Sequence, residues 1–320
     1  MSSSTARAGR RWSTRAVPGA AGAWFPRWLW PSFAGPATLY LLVFFVFPFY
    51  VILGVTFGTL DPILQTPIPA WNPAQWNTGV LNFALSNISH SDGIYYAAFF
   101  HTLEFVAAST FLSLLVGYPF AYFVARHAGR WKGLFLALFF APFWISYMLR
   151  LTAWIGLLQD DGWVNRILHG VGLTSGPIGF LNGHTGTLIG GLVYGYVPYM
   201  ILPLFAALDR IPQSHLEAAR DMGASPARTF LRVTLPASRQ AILAGAIVCG
   251  LPMFGDYFTQ ELVANTNGTR MIGNFIVDSL RTQILRSRGA ALILVLLVLL
   301  IVPIVYYLWS TTRASRERLA

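Results

Sequence analysis

Charge is scarce in this sequence. Asp, Glu, Lys and Arg make up 11% of its 320 residues, about half the roughly 25% that a soluble domain carries. With 55% hydrophobic residues and a mean hydropathy of +0.55, that shortage excludes a soluble domain and a disordered chain and leaves an integral membrane protein. Cysteine occurs once, Cys249, inside an apolar run, so neither an internal disulfide nor a thiolate metal cluster can form. Lysine also occurs once, Lys132, between Trp131 and Gly133. A phosphate-binding P-loop ends in Gly-Lys-Ser/Thr, so the chain has no such ATP-hydrolysing motif. The six histidines show no ligand spacing with one another or with Cys249, and no metal is expected. The formal net charge is +10, but on so apolar a chain the arginines report membrane topology rather than a nucleic-acid partner.

A spanning helix needs about 20 mostly apolar residues to cross roughly 30 Å of hydrocarbon. Six intervals qualify: 36–57, 93–125 with His101 and Glu104 inside, 133–158 with Arg150, 185–208, 240–262 with Asp256 and Glu261 near its end, and 289–309. Basic residues mark cytoplasmic ends, because Lys and Arg resist translocation. The N-terminal tail, the second-to-third and fourth-to-fifth connections and the C-terminus together hold sixteen of them; the opposite loops hold five, Arg166, Arg270, Arg281, Arg286 and Arg288. Six spans with both termini cytoplasmic are therefore expected. The first span is too long for a signal-peptide core and has no small-residue cleavage pattern after it, so it is expected to stay as an anchor. The acid-free basic tail superficially resembles an organellar transit peptide, but a solvated tail on the inner leaflet accounts for the same charge.

The fourth-to-fifth connection reads as two short helices and a turn. Pro212, Gln213 and Ser214 suit a helix start, Gly223 can take the left-handed conformation that ends a helix, and Ser225-Pro226 starts the next. Phe230, Leu231, Val233 and Leu235 give the second helix an apolar side, while Glu217, Arg220 and Asp221 keep the first one wet. Such a hairpin, cytoplasmic and carrying an exposed acid, is shaped to dock another protein. Its fixed positions are Glu217, Ala218, Ala219, Gly223, Val233, Leu235 and Pro236. They resemble the EAA loop of ATP-binding-cassette importer permeases, with Val233 in place of the usual Ile. The resemblance implies that the loop seats in a cleft of a separate ATPase subunit, with Glu217 as the electrostatic contact, Ala218 and Ala219 as the close-approach surface and Gly223 as the turn. It also implies a second, similar permease, two ATPase subunits and a solute-binding protein as partners. This chain itself would bind no cofactor; ATP and magnesium would belong to the ATPase.

Two further stretches, 142–154 and 251–262 continuing to 271–274, are similar to the spermidine/putrescine permeases within that family. The charges inside the spans fit such a cargo. Asp256 lies 17 residues beyond Arg239, about 26 Å along a helix, and Arg150 reaches a similar depth from Lys132. Glu104 is at most about 17 Å in from Gly93. Three acids, Glu104, Asp256 and Glu261, face one Arg150 in the outer half. Ionisable groups in hydrocarbon are functional candidates by default, and a net negative funnel favours a cation. Pairing of Arg150 with Asp256 or Glu104 to hold helices together is the competing reading, and Glu261 at the membrane surface another. Trp144, Tyr147, Trp154, Tyr194, Tyr196, Tyr199 and Tyr257 could offer ring faces to ammonium groups. Pro198 and Pro203 are expected to interrupt the fourth span, and Pro252 with Gly250 and Gly255 the fifth; Gly191 and Gly195 read as packing positions.

The expected fold is thus an all-α polytopic membrane protein: a basic cytoplasmic tail 1–32, a first transmembrane helix 33–58, an outer loop 59–92, a five-helix permease core 93–312 with the coupling loop 209–236, and a cytoplasmic tail 313–320. The expected function is translocation of a small cation, a polyamine by resemblance, through alternating access. The rivals are an importer permease for another small solute and an intramembrane enzyme or sensor.

Overall fold

The computed structural model describes residues 29–64 and 66–317; most of the basic tail and residues 318–320 lie outside them. The chain divides into two units, Met1–Tyr50 and Val51–Ala320. Helix α1 (Ser32–Thr56) begins in the first and ends in the second. It carries no charge, and the large side chains from Phe33 to Phe47 are exposed, as suits a helix surrounded by hydrocarbon.

In the second unit a short antiparallel pair, β1 (Thr59–Leu60) and β2 (Pro67–Ile68), sets Thr59 opposite Ile68. Helix α2 (Gly79–Ser89) follows. The core is built on α3 (Tyr96–His127) and α7 (Thr185–Arg210), which pack along one another and against α9 (Pro226–Met253). Phe105, Val106, Leu188, Leu192, Met200, Ile201, Leu204, Cys249 and Met253 fill the seam. Small residues let the backbones close: a Cβ on Gly245 would stand 2.7 Å from Met200 Sδ, and one on Gly117 3.2 Å from Ile201 Cγ1. Helices α11 (Ile272–Arg281) and α12 (Arg286–Glu317) enclose a second cluster around Tyr95, Ile272 and Leu292.

Among the described residues five helices are long and apolar enough to cross a membrane, six if one bent pair is a single span. That pair corrects the expected third span 133–158. It runs as Gly129–Trp144 and Tyr147–Gly170, bent by 89°, and includes α4 (Lys132–Phe140), α5 (Tyr147–Leu158) and α6 (Trp163–Gly170). Ile145 (ψ 140°) and Ser146 (ψ 138°) are extended, which ends one helix and redirects the next. The expected fifth span 240–262 is also redrawn. Its helix α9 starts at Pro226 and stops at Met253, and the chain turns through Gly255 and Asp256 before the short α10 (Phe258–Val263). Conversely, Pro198 and Pro203 do not interrupt the fourth span; both lie inside the single helix α7. Membrane helices tolerate proline where neighbours and local adjustment re-satisfy the freed backbone groups.

Candidate functional site

Asp256 stands where α9 has ended and α10 has not begun. Only 5% of it is exposed. Its Oδ1 accepts from the Thr259 backbone N–H at 3.0 Å, the N-cap geometry of a carboxylate at a helix start. Its Oδ2 accepts from the hydroxyls of Thr259 at 2.6 Å, Tyr196 at 3.1 Å and Tyr147 at 3.2 Å. Tyr147 Oη also lies 2.5 Å from Thr259 Oγ1, so its one proton is shared between the two acceptors. Three elements, α5, α7 and α10, are thereby tied to one buried carboxylate. Charge-assisted bonds of this kind are the strong ones, and a buried charge without them is costly.

Glycine makes the junction possible. A Cβ on Gly195 would lie 2.5 Å from Tyr147 Cε2, and one on Gly191 2.8 Å from Thr259 Cγ2, so both α7 glycines are close-approach positions, as their spacing suggested. Gly195→Ala is expected to expel the Tyr147 ring and lower stability by about 1–3 kcal/mol, the usual cost of overpacking. Thermal unfolding of the purified chain measures it. Adding Gly195→Ala to Tyr147→Ala should then cost little beyond Tyr147→Ala alone.

The structure gathers Tyr147, Tyr196 and Asp256 in one network, sets Arg150 on the Tyr147 ring, places Tyr257 and Glu261 at a separate cavity, and leaves Glu104 and Trp144 apart from both. Arg150 does not pair with Asp256 or Glu104. Its guanidinium lies over aromatic faces, 4.4 Å from the Phe143 centroid, 5.4 Å from Tyr147 and 5.5 Å from Tyr194, and Nε donates to the Ile145 carbonyl at 3.2 Å. The arginine therefore caps the break in the third span. Glu104 is exposed on α3. Trp144 is 92% exposed. Tyr257 stacks on Phe258 at 4.1 Å and shares a polar cavity of about 220 Å³ with Glu261, Asn274 and Asp278. Glu261 is exposed and lies 3.7 Å from Arg281 Nη1, while Asp278 pairs with Arg270. Sequence reasoning passed over Thr259 as a partner; an Asp just ahead of a helix start is a signal that could have found its backbone bond, but not the bond from its hydroxyl.

The hairpin is ordered by its own backbone. Helix α8 (Gln213–Asp221) buries Leu216 and Ala219 and exposes Glu217, Ala218 and Asp221. It ends with Gly223 at φ 83°, the Ala224 N–H bonded to the Ala219 carbonyl and the Gly223 N–H to that of Arg220; these are the bonds of a helix stop on a left-handed residue. Ser225 Oγ accepts from the Arg228 N–H at 3.4 Å, with Pro226 at the first position of the next helix. The second helix is not short, as expected from sequence, but runs on as α9. Phe230 sits edge-on to Tyr118 and Tyr122, and Tyr118 Oη lies 2.9 Å from Ser238 Oγ. Lys132 Nζ and Asp209 Oδ1, 2.5 Å apart, pin the start of α4 to the end of α7. Val233 and Leu235 are half-buried and Pro236 exposed. Glu217, Ala218 and Met222, the last 83% exposed, thus project from a base fixed to the core.

Residues 113–316 match the family model described as binding-protein-dependent transport system inner membrane component. The chain is 30% identical over 283 residues to the spermidine/putrescine transport system permease protein PotB of Escherichia coli K12, covering 87% of this chain and 96% of that protein. It is 32% identical over 284 residues to the protein of the same name from Haemophilus influenzae, covering 87% and 92%. Among solved structures it is similar to a bacterial ABC transporter involved in import of the acidic polysaccharide alginate, with TM-score 0.62 and 18% identity over 90% of this chain and 96% of that one. A bacterial alginate ABC transporter in complex with an alginate pentasaccharide-bound periplasmic protein gives TM-score 0.66 and 16% identity over 88% and 92%. At these identities the solved structures speak to the fold alone.

Proposed function

The chain belongs to the family of binding-protein-dependent transport system inner membrane components, and on that premise we propose that the cargo it passes is a polyamine, spermidine or putrescine. It is a multi-pass inner-membrane permease subunit with a transport role, which sets aside the intramembrane enzyme or sensor. The cargo assignment rests on one observation, the identity over nearly the whole chain to permeases named for spermidine and putrescine. The fold cannot carry it, because similar folds serve alginate, a polyanion.

The hairpin of α8 and the start of α9 is the contact with a separate ATPase subunit, which binds ATP and magnesium; this chain binds no cofactor. The exposed Glu217, Ala218 and Gly223 support that reading. The hairpin end of the bundle and both termini face the cytoplasm, by the distribution of Arg and Lys. The assembly has a second permease, two ATPase subunits and a solute-binding protein. The broken third span supports a protein neighbour. Extended backbone at membrane depth is tolerated only against protein or a water-filled cavity, yet Trp144 and Ile145, 92% and 53% exposed, leave this break uncovered by the described chain. In the transport cycle, closure of the ATPase pair draws the hairpin and rearranges the outer half, where Tyr257 and Glu261 line the polar cavity through which a cation enters.

The test is uptake of radiolabelled putrescine and spermidine by cells expressing the permease with its partner subunits. ATP-dependent accumulation is expected, reduced severalfold by Glu261→Gln for these cations. Absence of polyamine uptake, with an ATPase still co-purifying, would keep the importer and assign it another solute.

A further inference from the structure

At the end of the bundle that carries the hairpin, α9 and α12 part around a cavity of about 510 Å³. Arg239 and Gln240 of α9 face it, with Ser310 and Arg313 of α12; Tyr306 and Trp309 complete the α12 wall. No acid lines it. Arg239 is exposed and makes no ion pair among the described residues, while the Arg313 guanidinium lies 5.6 Å from the Trp309 ring centroid.

The depth of this cavity follows from α12. Its charge-free run opens after Arg288, and from Gly289 to Trp309 the helix climbs about 30 Å, the thickness of the hydrocarbon core. Trp309 and Tyr306 therefore sit in the interfacial belt where aromatic rings collect. Arg313 and Ser310 lie in the headgroup layer, and Leu243, one turn along α9 from Arg239, lines the same cavity on the bilayer side.

We propose that this cavity binds a phosphate anion, supplied in the membrane by the headgroup of an acidic phospholipid of the inner leaflet. Guanidinium groups match phosphate oxygens as planar forks. Gln240 and Ser310 add neutral donors, and the apolar side at Leu243 and Tyr306 suits the first carbons of acyl chains, which free phosphate lacks. Basic pockets between membrane helices on the cytoplasmic side hold anionic headgroups on the same physical grounds. Bound there, the lipid braces the helix that continues directly from the coupling hairpin against α12. The leaflet assignment rests on the orientation proposed above; the cavity itself does not.

The measurement is native mass spectrometry of the assembled transporter, delipidated in detergent and titrated with dioleoylphosphatidylglycerol or dioleoylphosphatidylcholine. One tightly held phosphatidylglycerol per copy of this chain is expected, bound about tenfold more strongly than phosphatidylcholine. Arg239→Gln with Arg313→Gln should bring the ratio near one. Arg239→Lys with Arg313→Lys should keep most of it, because the charge remains, and Arg166→Gln, outside the cavity, should leave it unchanged. Inorganic phosphate is the second probe: millimolar phosphate that fails to displace the lipid identifies the headgroup as the ligand, and displacement by it identifies a free-phosphate site of the same chemistry. An undiminished preference in the intact complex with both arginines replaced by glutamine would overturn the proposal, as would no preference in the unaltered protein. Neither uptake nor orientation enters this readout, so a failed polyamine assay is a separate result.

Discussion

Replacing Glu217 by alanine is expected to abolish ATP-driven uptake while leaving the chain folded in the membrane. The side chain is exposed on α8 and makes no ion pair among the described residues. Surface substitutions of this kind change stability by about half a kcal/mol or less, so loss of transport cannot be ascribed to misfolding. Gly223→Asp is the companion variant. At φ 83° the glycine occupies the left-handed region, where an L side chain costs roughly 1–2 kcal/mol, and Asp also adds a negative charge to the turn. Open space surrounds the position within the chain, so the damage falls on the turn and on whatever docks against it. Both variants should reach the membrane in normal amounts by immunoblot and retain no polyamine uptake. Normal uptake in both would remove the hairpin from the coupling path.

That hairpin was legible in the sequence because its information is local. The helix stop at Gly223, the cap at Ser225 and the apolar positions from Phe230 to Leu235 all act within a few residues, and spacing preserves them. The span count was legible for a related reason, since hydropathy measures apolar length. It does not measure ψ. The break at Ile145 and Ser146 was invisible to it, and the prolines that should have marked breaks, Pro198 and Pro203, lie in an unbroken helix. The partners of the intramembrane charges were also out of reach. Opposite signs suggested that Arg150 would seek Asp256, yet the arginine lies on the rings of Phe143, Tyr147 and Tyr194 and the aspartate takes hydroxyls from α5, α7 and α10. That choice depends on which helices meet, and the close approach at Gly191 and Gly195 that brings them together is a tertiary fact.

Asp256→Asn should lower stability and abolish uptake together. One asparagine can keep Oδ1 under the Thr259 N–H, but it then presents an NH2 group to three hydroxyls that now donate to Oδ2. Stranding donors in so buried a site costs about 1–3 kcal/mol for each unsatisfied group, and double-mutant cycles are needed to apportion a coupled network. The informative protein is therefore the triple variant Asp256→Asn, Tyr147→Phe, Tyr196→Phe. Two stranded hydroxyls are gone, and the new NH2 can donate to Thr259 Oγ1, which sits 2.6 Å from the atom it replaces. Removing both sides of a buried polar arrangement is often close to neutral where removing one side is not, so the thermal unfolding temperature should recover most of the loss. Uptake should stay absent if the charge of Asp256 serves transport, because no packing repair restores it. Recovery of uptake along with stability would reduce Asp256 to the cap of α10, and would leave Glu261 at the polar cavity as the carboxylate that meets the cation.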